Sequence, residues 1–94
     1  MDDIRRRAKD RNNVRISLHA LEREETRDIT LLDVYRVLEH GSIVHGSICE
    51  GKNKGEWKAE IEYRRKGDRK ISVVTVVPKG DLLYIVTVMW RDTL

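Results

Sequence analysis

His19, Arg23 and Arg27 follow one another at intervals of four within ISLHALEREETRDIT, residues 16–30. On a helix that interval lines three side chains along one stripe. An imidazole beside permanent cations stays neutral near pH 7 and can accept a proton as a general base does. The planar guanidinium fork holds phosphate oxygens and stabilises charge at phosphorus. Together these groups suit metal-free cleavage of RNA, in which the 2′-OH attacks the neighbouring phosphorus and no cofactor is needed. An ordinary amphipathic helix also accounts for the pattern, with His19 between Leu18 and Ala20 and Arg27 favoured by a helix C-terminus.

Further candidates lie toward the C-terminus. Tyr63, Arg64, Arg65, Tyr84, Thr87 and Trp90 fall in apolar or alternating runs. Aromatic rings interleaved with arginines can stack bases and hold phosphates, and they can equally pack a sheet. Tyr63 and Arg65 share one strand face and Arg64 takes the other. His40, His45 and Cys49 are zinc-ligand types, but their spacing is loose and no C-x-x-C pair or fourth ligand accompanies them. No glycine-rich phosphate loop, G-x-S-x-G elbow or H-E-x-x-H is present, so kinase, hydrolase and metalloprotease chemistry has no support.

The chain that must position these groups has 94 residues, enough for one core and one domain. Its net charge of +3 and pI near 9.2 are mild. The cations are clustered, however, with Arg5, Arg6, Arg7, Lys9, Arg11 and Arg15 at the start and Arg64 to Lys70 in a later turn. Such clusters attract phosphates or an acidic partner, or form solvated faces. No apolar run approaches the roughly 20 residues of a membrane span, and MDDIRRRAKDRNN lacks the apolar stretch of a secretory signal. The single cysteine, Cys49, fits a reducing compartment, so the expected location is the cytoplasm.

Residues 1–13 are polar and read as a basic arm, either a frayed helix or a mobile segment, that packs little. The expected domain is residues 14–94. Ser17 is a good N-cap for a helix to about Arg27 with Leu18, Ala20 and Leu21 on its apolar side. Thr30, followed by Asp33, predicts a capping box for a second helix. Leu31, Val34, Tyr35 and Leu38 recur at helical spacing, and Gly41 is placed to end it in a left-handed turn. The period then changes to two: SIVHGSICE is a short strand interrupted by Gly46, GKNKG a loop, and EWKAEIEYRR an alternating strand. Lys66 to Asp68 and PKGD are turns, and KISVVTVV and LLYIVTVMW are strands. The expected fold is α+β, with N-terminal helices packed on an antiparallel sheet of about four strands.

The order of these signals resembles the domain-of-unknown-function family 4258. Ser17, His19, Ala20, Arg23, Arg27, Ile29, Thr30, Asp33, Val34, Gly41 and Ile43 match its S-x-H-A-x-x-R helix, second arginine, I-[ST]-x-x-D-V restart and glycine-terminated helix. ISVVTVV and LLYIVTVMW resemble its closing strands, so the resemblance covers about residues 14–91. It departs at Glu24, where the family has an apolar residue, and Glu25 follows. What the resemblance implies is a RelE/BrnT-like compact fold and a toxin-type endoribonuclease. His19 would be its acid–base group and Arg23 and Arg27 its phosphate clamps; the residues of the sheet strands themselves add Tyr63, Arg65 or Thr87 as secondary contributors. The resemblance also implies RNA and a small acidic antitoxin-like protein as partners, with no membrane, metal or cofactor. A non-enzymatic protein- or RNA-binding module on the same fold is the alternative.

Overall fold

The computed structural model describes residues 1–18, 20, 29–64 and 70–90. Helix α1 (Asp2–Ala8) leads through a 3₁₀ turn (Arg11–Asn13) into strand β1 (Val14–Ile16). Helix α2 (Leu31–His40) and strands β2 (Ser42–Ile43), β3 (Cys49–Glu50), β4 (Trp57–Arg64), β5 (Lys70–Val77) and β6 (Leu83–Trp90) follow. The sheet is six-stranded in the order β1-β6-β5-β4-β2, with β3 also paired to β4. The architecture is therefore α+β.

Pairing is antiparallel except between β1 and β6, which run parallel from Val14↔Leu83 to Ile16↔Ile85. The all-antiparallel sheet of about four strands is thus corrected to a mixed six-stranded one. Strand β1 escapes a reading by alternation because it has three residues and follows a polar run. Parallel partners need a long crossover between them, and here nearly the whole domain intervenes.

Local chemistry sets α2. The Thr30 hydroxyl accepts from the Asp33 amide at 3.2 Å, and the Asp33 carboxylate accepts from the Thr30 amide at 3.1 Å. This is the expected capping box, satisfying two orphan donors at the helix start. Val34, Val37 and Leu38 are buried on one stripe of α2, and α2 lies against β4 and β5. Gly41 ends the helix but not in a left-handed turn: its φ is −78° and ψ 179°. It is required by close approach, since a Cβ there would meet Val37 O at 2.5 Å and Glu62 O at 2.6 Å.

The arm expected to pack little, as a frayed helix or a mobile segment, is instead a docked helix. Ile4 and Ala8 lie in the core, 5% and 2% exposed. Each arginine of the RRR run has a separate tether. Arg5 donates to the carbonyls of Glu39 and Gly41 at the end of α2, at 3.0 and 2.9 Å. Arg6 pairs with Asp3 and with Asp81 of the β5–β6 turn. Arg7 is buried and donates to Pro78 O and Leu82 O, both at 2.7 Å, and to Asp3. The guanidinium fork suits carbonyls left unpaired at a helix end or turn, so a run that looks solvated holds the helix to its neighbours. Leu18 also departs from expectation, being 73% exposed where a core residue was predicted.

Replacing Arg7 with Ala strands two carbonyls and should cost about 2–3 kcal/mol. For a domain of this size that lowers the melting temperature by about 10–20 °C, readable by circular dichroism; an unchanged melt would contradict the clamp. The Arg6 hydrogen bond, with Arg7 beside it, holds the Asp3 carboxyl below the usual range. The stability this contributes is present above the unfolded pKa and fades as pH falls through the lowered folded one. Asp3→Asn should therefore flatten that part of the acid limb of a stability–pH curve.

Candidate functional site

Alternation along β5 assigns every strand a covered and an open face. Ile71, Val73, Thr75 and Val77 are buried and register with Tyr63, Ile61, Ala59 and Trp57 of β4. Ile61, Val73 and Ile85 join the buried residues of α1 and α2 in one core. Lys58, Glu60 and Glu62 of β4, Ser72, Val74 and Val76 of β5, and Tyr84, Thr87 and Met89 of β6 point the other way. Clefts run across this second face.

One cleft, of about 450 Å³, is lined by Arg15, Ile16, Ser17, Val76, Tyr84 and Val86, among others. Its shape depends on an irregularity in β6. Thr87 pairs with Val74 and Ile85 with Thr75, leaving Val86 as an extra residue. A bulge of this kind bends the strand and re-aims its side chains. Val86 lines this cleft and the two next to it. Its carbonyl accepts from the Ser17 hydroxyl at 3.0 Å, while the Ser17 amide donates to Ile85 O at 3.0 Å.

Ser17 also accepts from the Ala20 amide at 3.0 Å, the bond expected of an N-cap residue. One hydroxyl thus joins the β6 bulge to the start of the segment carrying His19. Arg15 lies across from Tyr84 in the sheet register, and Tyr84 is 39% exposed. The cleft therefore places a guanidinium-bearing residue and an accessible phenol at the head of that segment. A phosphate and an unstacked base are the ligand groups this pair can hold.

The candidate residues divide as follows. His19, Arg23, Arg27 and Arg65 lie outside the described residues. Thr87 sits on the open face, lining a cleft with Ser47, Cys49 and Met89. Tyr63 is on the covered face, packed on the core, with its ring 6.1 Å from that of His40. Tyr63 and Thr87 are therefore not brought together: Tyr63 is in register with buried Ile71 and Thr87 with Val74 of the other face. Among the described residues no group of three or more histidines, cysteines or carboxylates converges as a metal site. Val86 was not singled out from the sequence, because LLYIVTVMW is apolar throughout and hides the shifted register.

The sequence comparisons extend this picture. The model of a domain of unknown function, DUF4258, matches residues 16–90, taking in the sheet from the end of β1 to β6 and leaving α1 outside. Neither a curated protein nor a solved structure matches the chain. No helix of the described residues is long and apolar enough to cross a membrane. Ser17→Ala should lower stability by about 1–2 kcal/mol, through loss of the cap and of the Val86 bond. Ser17→Thr keeps the hydroxyl and should retain most of that stability; equal melts for Ala and Thr would deny Ser17 its joining role.

Proposed function

The chain belongs to the DUF4258 family, and on that premise we propose that it is a metal-independent endoribonuclease of toxin type. The observation that carries this reading is the Arg15–Tyr84 cleft, which opens beside Ser17, two positions before His19 in the chain. In this reading a single RNA strand lies on the open sheet face. Tyr84 stacks a base and Arg15 holds a phosphate. His19 takes the proton of the 2′-OH as that oxygen attacks the adjacent phosphorus. Arg23 and Arg27 carry the charge that builds on the non-bridging oxygens. The P–O5′ bond breaks, and a proton delivered to the leaving oxygen completes a 2′,3′-cyclic phosphate and a 5′-hydroxyl.

Thr87 remains available as a contributor from the open face, and Arg65 as a second phosphate contact. Tyr63, on the covered face, acts through packing rather than on the substrate. The likeness to RelE and BrnT type ribonucleases, restraint by a small acidic partner, and a cytoplasmic setting belong to the same reading. A second reading has its own observation: Val74, Val76, Val86 and Met89 give the open face an apolar centre, which suits a protein-binding module without catalysis.

Incubation of purified protein with a single-stranded RNA in excess chelator separates the two. The enzyme reading expects fragments ending in 2′,3′-cyclic phosphate and a loss of at least 100-fold in rate for His19→Gln. Arg15→Ala should chiefly raise KM. Undiminished cleavage by His19→Gln would exclude the base, and a wild type inactive on every RNA offered would leave the binding module.

A further inference from the structure

We propose that the β3–β4 hairpin, with Lys52, Lys54, Lys79 and Trp57, is a second contact for single-stranded nucleic acid. It would act as the far end of a track leading to the Arg15–Tyr84 cleft. The proposal extends the RNA reading above, and the two can fail separately.

The hairpin is a built loop. The Gly51 amide donates to Glu56 O at 2.9 Å and the Glu56 amide to Asn53 O at 3.1 Å. The Glu56 carboxylate accepts from the Asn53 amide at 3.1 Å. Gly55 adopts φ +85°, in the left-handed region, and packs so tightly that a Cβ there would come within 2.3 Å of Lys79 Cε. Lys79 arrives from the β5–β6 turn, which thereby packs on the hairpin at Gly55. The hairpin itself encloses a groove of about 250 Å³ lined by Lys52, Lys54 and Trp57, with Glu50 and Glu56 as its carboxylates.

The electrostatics favour a polyanion. Among the described residues, Lys52, Lys54, Lys58 and Lys79 make no ion pair. Of the nearby acids, Glu62 pairs with Lys70, Asp81 with Arg6, and Glu60 accepts from Ser72, while Glu50 and Glu56 stand in the groove itself against Lys52 and Lys54. Trp57 is 51% exposed, unusual for so large an apolar ring, and is flanked in sequence by Lys58 and the lysine loop. An accessible π-face among unpaired ammonium groups is the combination that binds unstacked bases together with their phosphates.

Continuity of the surface supplies the track. Lys52, Asn53 and Glu56 line both the hairpin groove and a cleft on the open face. That cleft shares Val76 and Val86 with the Arg15–Ser17 cleft. A strand leaving the Lys52–Glu56 side of the groove would cross β4, β5 and β6 on the open face, adjacent strands being about 4.8 Å apart, before reaching Tyr84, while Trp57, in register with Val77, stands at the hairpin's other edge.

The test titrates the full chain into a labelled 12-nucleotide oligomer, as 2′-O-methyl RNA, DNA and pre-formed duplex, followed by anisotropy at several salt concentrations. The 2′-O-methyl strand cannot be cleaved by 2′-OH attack, so binding is read whether or not the protein is a nuclease. Preference for the RNA-like strand assigns recognition to the sugar, and equal binding of both single strands to stacking and charge. The Lys52→Gln, Lys54→Gln, Lys79→Gln triple variant should weaken single-strand binding at least tenfold. It should also reduce the slope of log K against log salt by about 2. Trp57→Ala should weaken it about 5- to 100-fold, and Trp57→Phe should restore most of the loss. In a Trp90→Phe background the remaining indole should be quenched as the strand binds. Affinities and slopes within twofold of wild type, an unquenched Trp57, a preference for the duplex, or binding to anionic vesicles without binding to oligonucleotide would each overturn the proposal.

Discussion

Strand β5 is central and has to satisfy two environments at once, because its side chains alternate across the sheet. Ile71, Val73, Thr75 and Val77 go under the helices, and even Thr75 is buried there, its hydroxyl donating to Ala59 O at 3.0 Å. Val74 and Val76 are left half-buried on the other side. Among the described residues, helices of seven and ten residues cover one face of this sheet. The second face must then be tolerated by the fold or used by a ligand. Its clefts, the bulge at Val86 and the access to Tyr84 all follow from that division.

The same division gives α1 its role. Its Ile4 and Ala8 close the covered face, and its three successive arginines tie the end of α2 and the β5–β6 turn to one another. That turn carries Lys79, packed against Gly55 of the β3–β4 hairpin. Anchoring α1 therefore steadies the edge of the open face across the sheet. The family match begins at residue 16, so α1 lies outside the matched stretch. Arg11, stacked 4.4 Å over the Tyr35 ring, extends the same tethering along α2.

Much of this was legible from residue types. The Thr30–Asp33 capping box, the alternation of β4 and the turn at Pro78–Asp81 are local features, and local features leave a local pattern. The family signature from Ser17 to Ile43 was legible too. What was not legible depends on partners distant in the chain. RRR looks like a solvated run until the carbonyls of Pro78, Leu82, Glu39 and Gly41 are beside it. VRI is too short to show a period, so a parallel edge strand went unseen. Gly41 looked like a left-handed cap, although the approach of Glu62 is what demands a glycine. For the site, the sequence brought Arg15 and Tyr84 to notice only as members of wider groups. The bulge that opens the cleft between β1 and β6 is invisible in an unbroken apolar strand.

The proposed function puts RNA on the open face and not on the helical side. Methyl NMR spectra recorded while a 2′-O-methyl oligoribonucleotide is added test it most directly, because valines of one strand report on both faces. RNA on the open face should shift the Val74, Val76 and Val86 methyls, with those of Val73, Val77 and Val88 staying where they are. Shifts confined to Val73, Val77 and Val88, or none at saturating oligonucleotide, would contradict it.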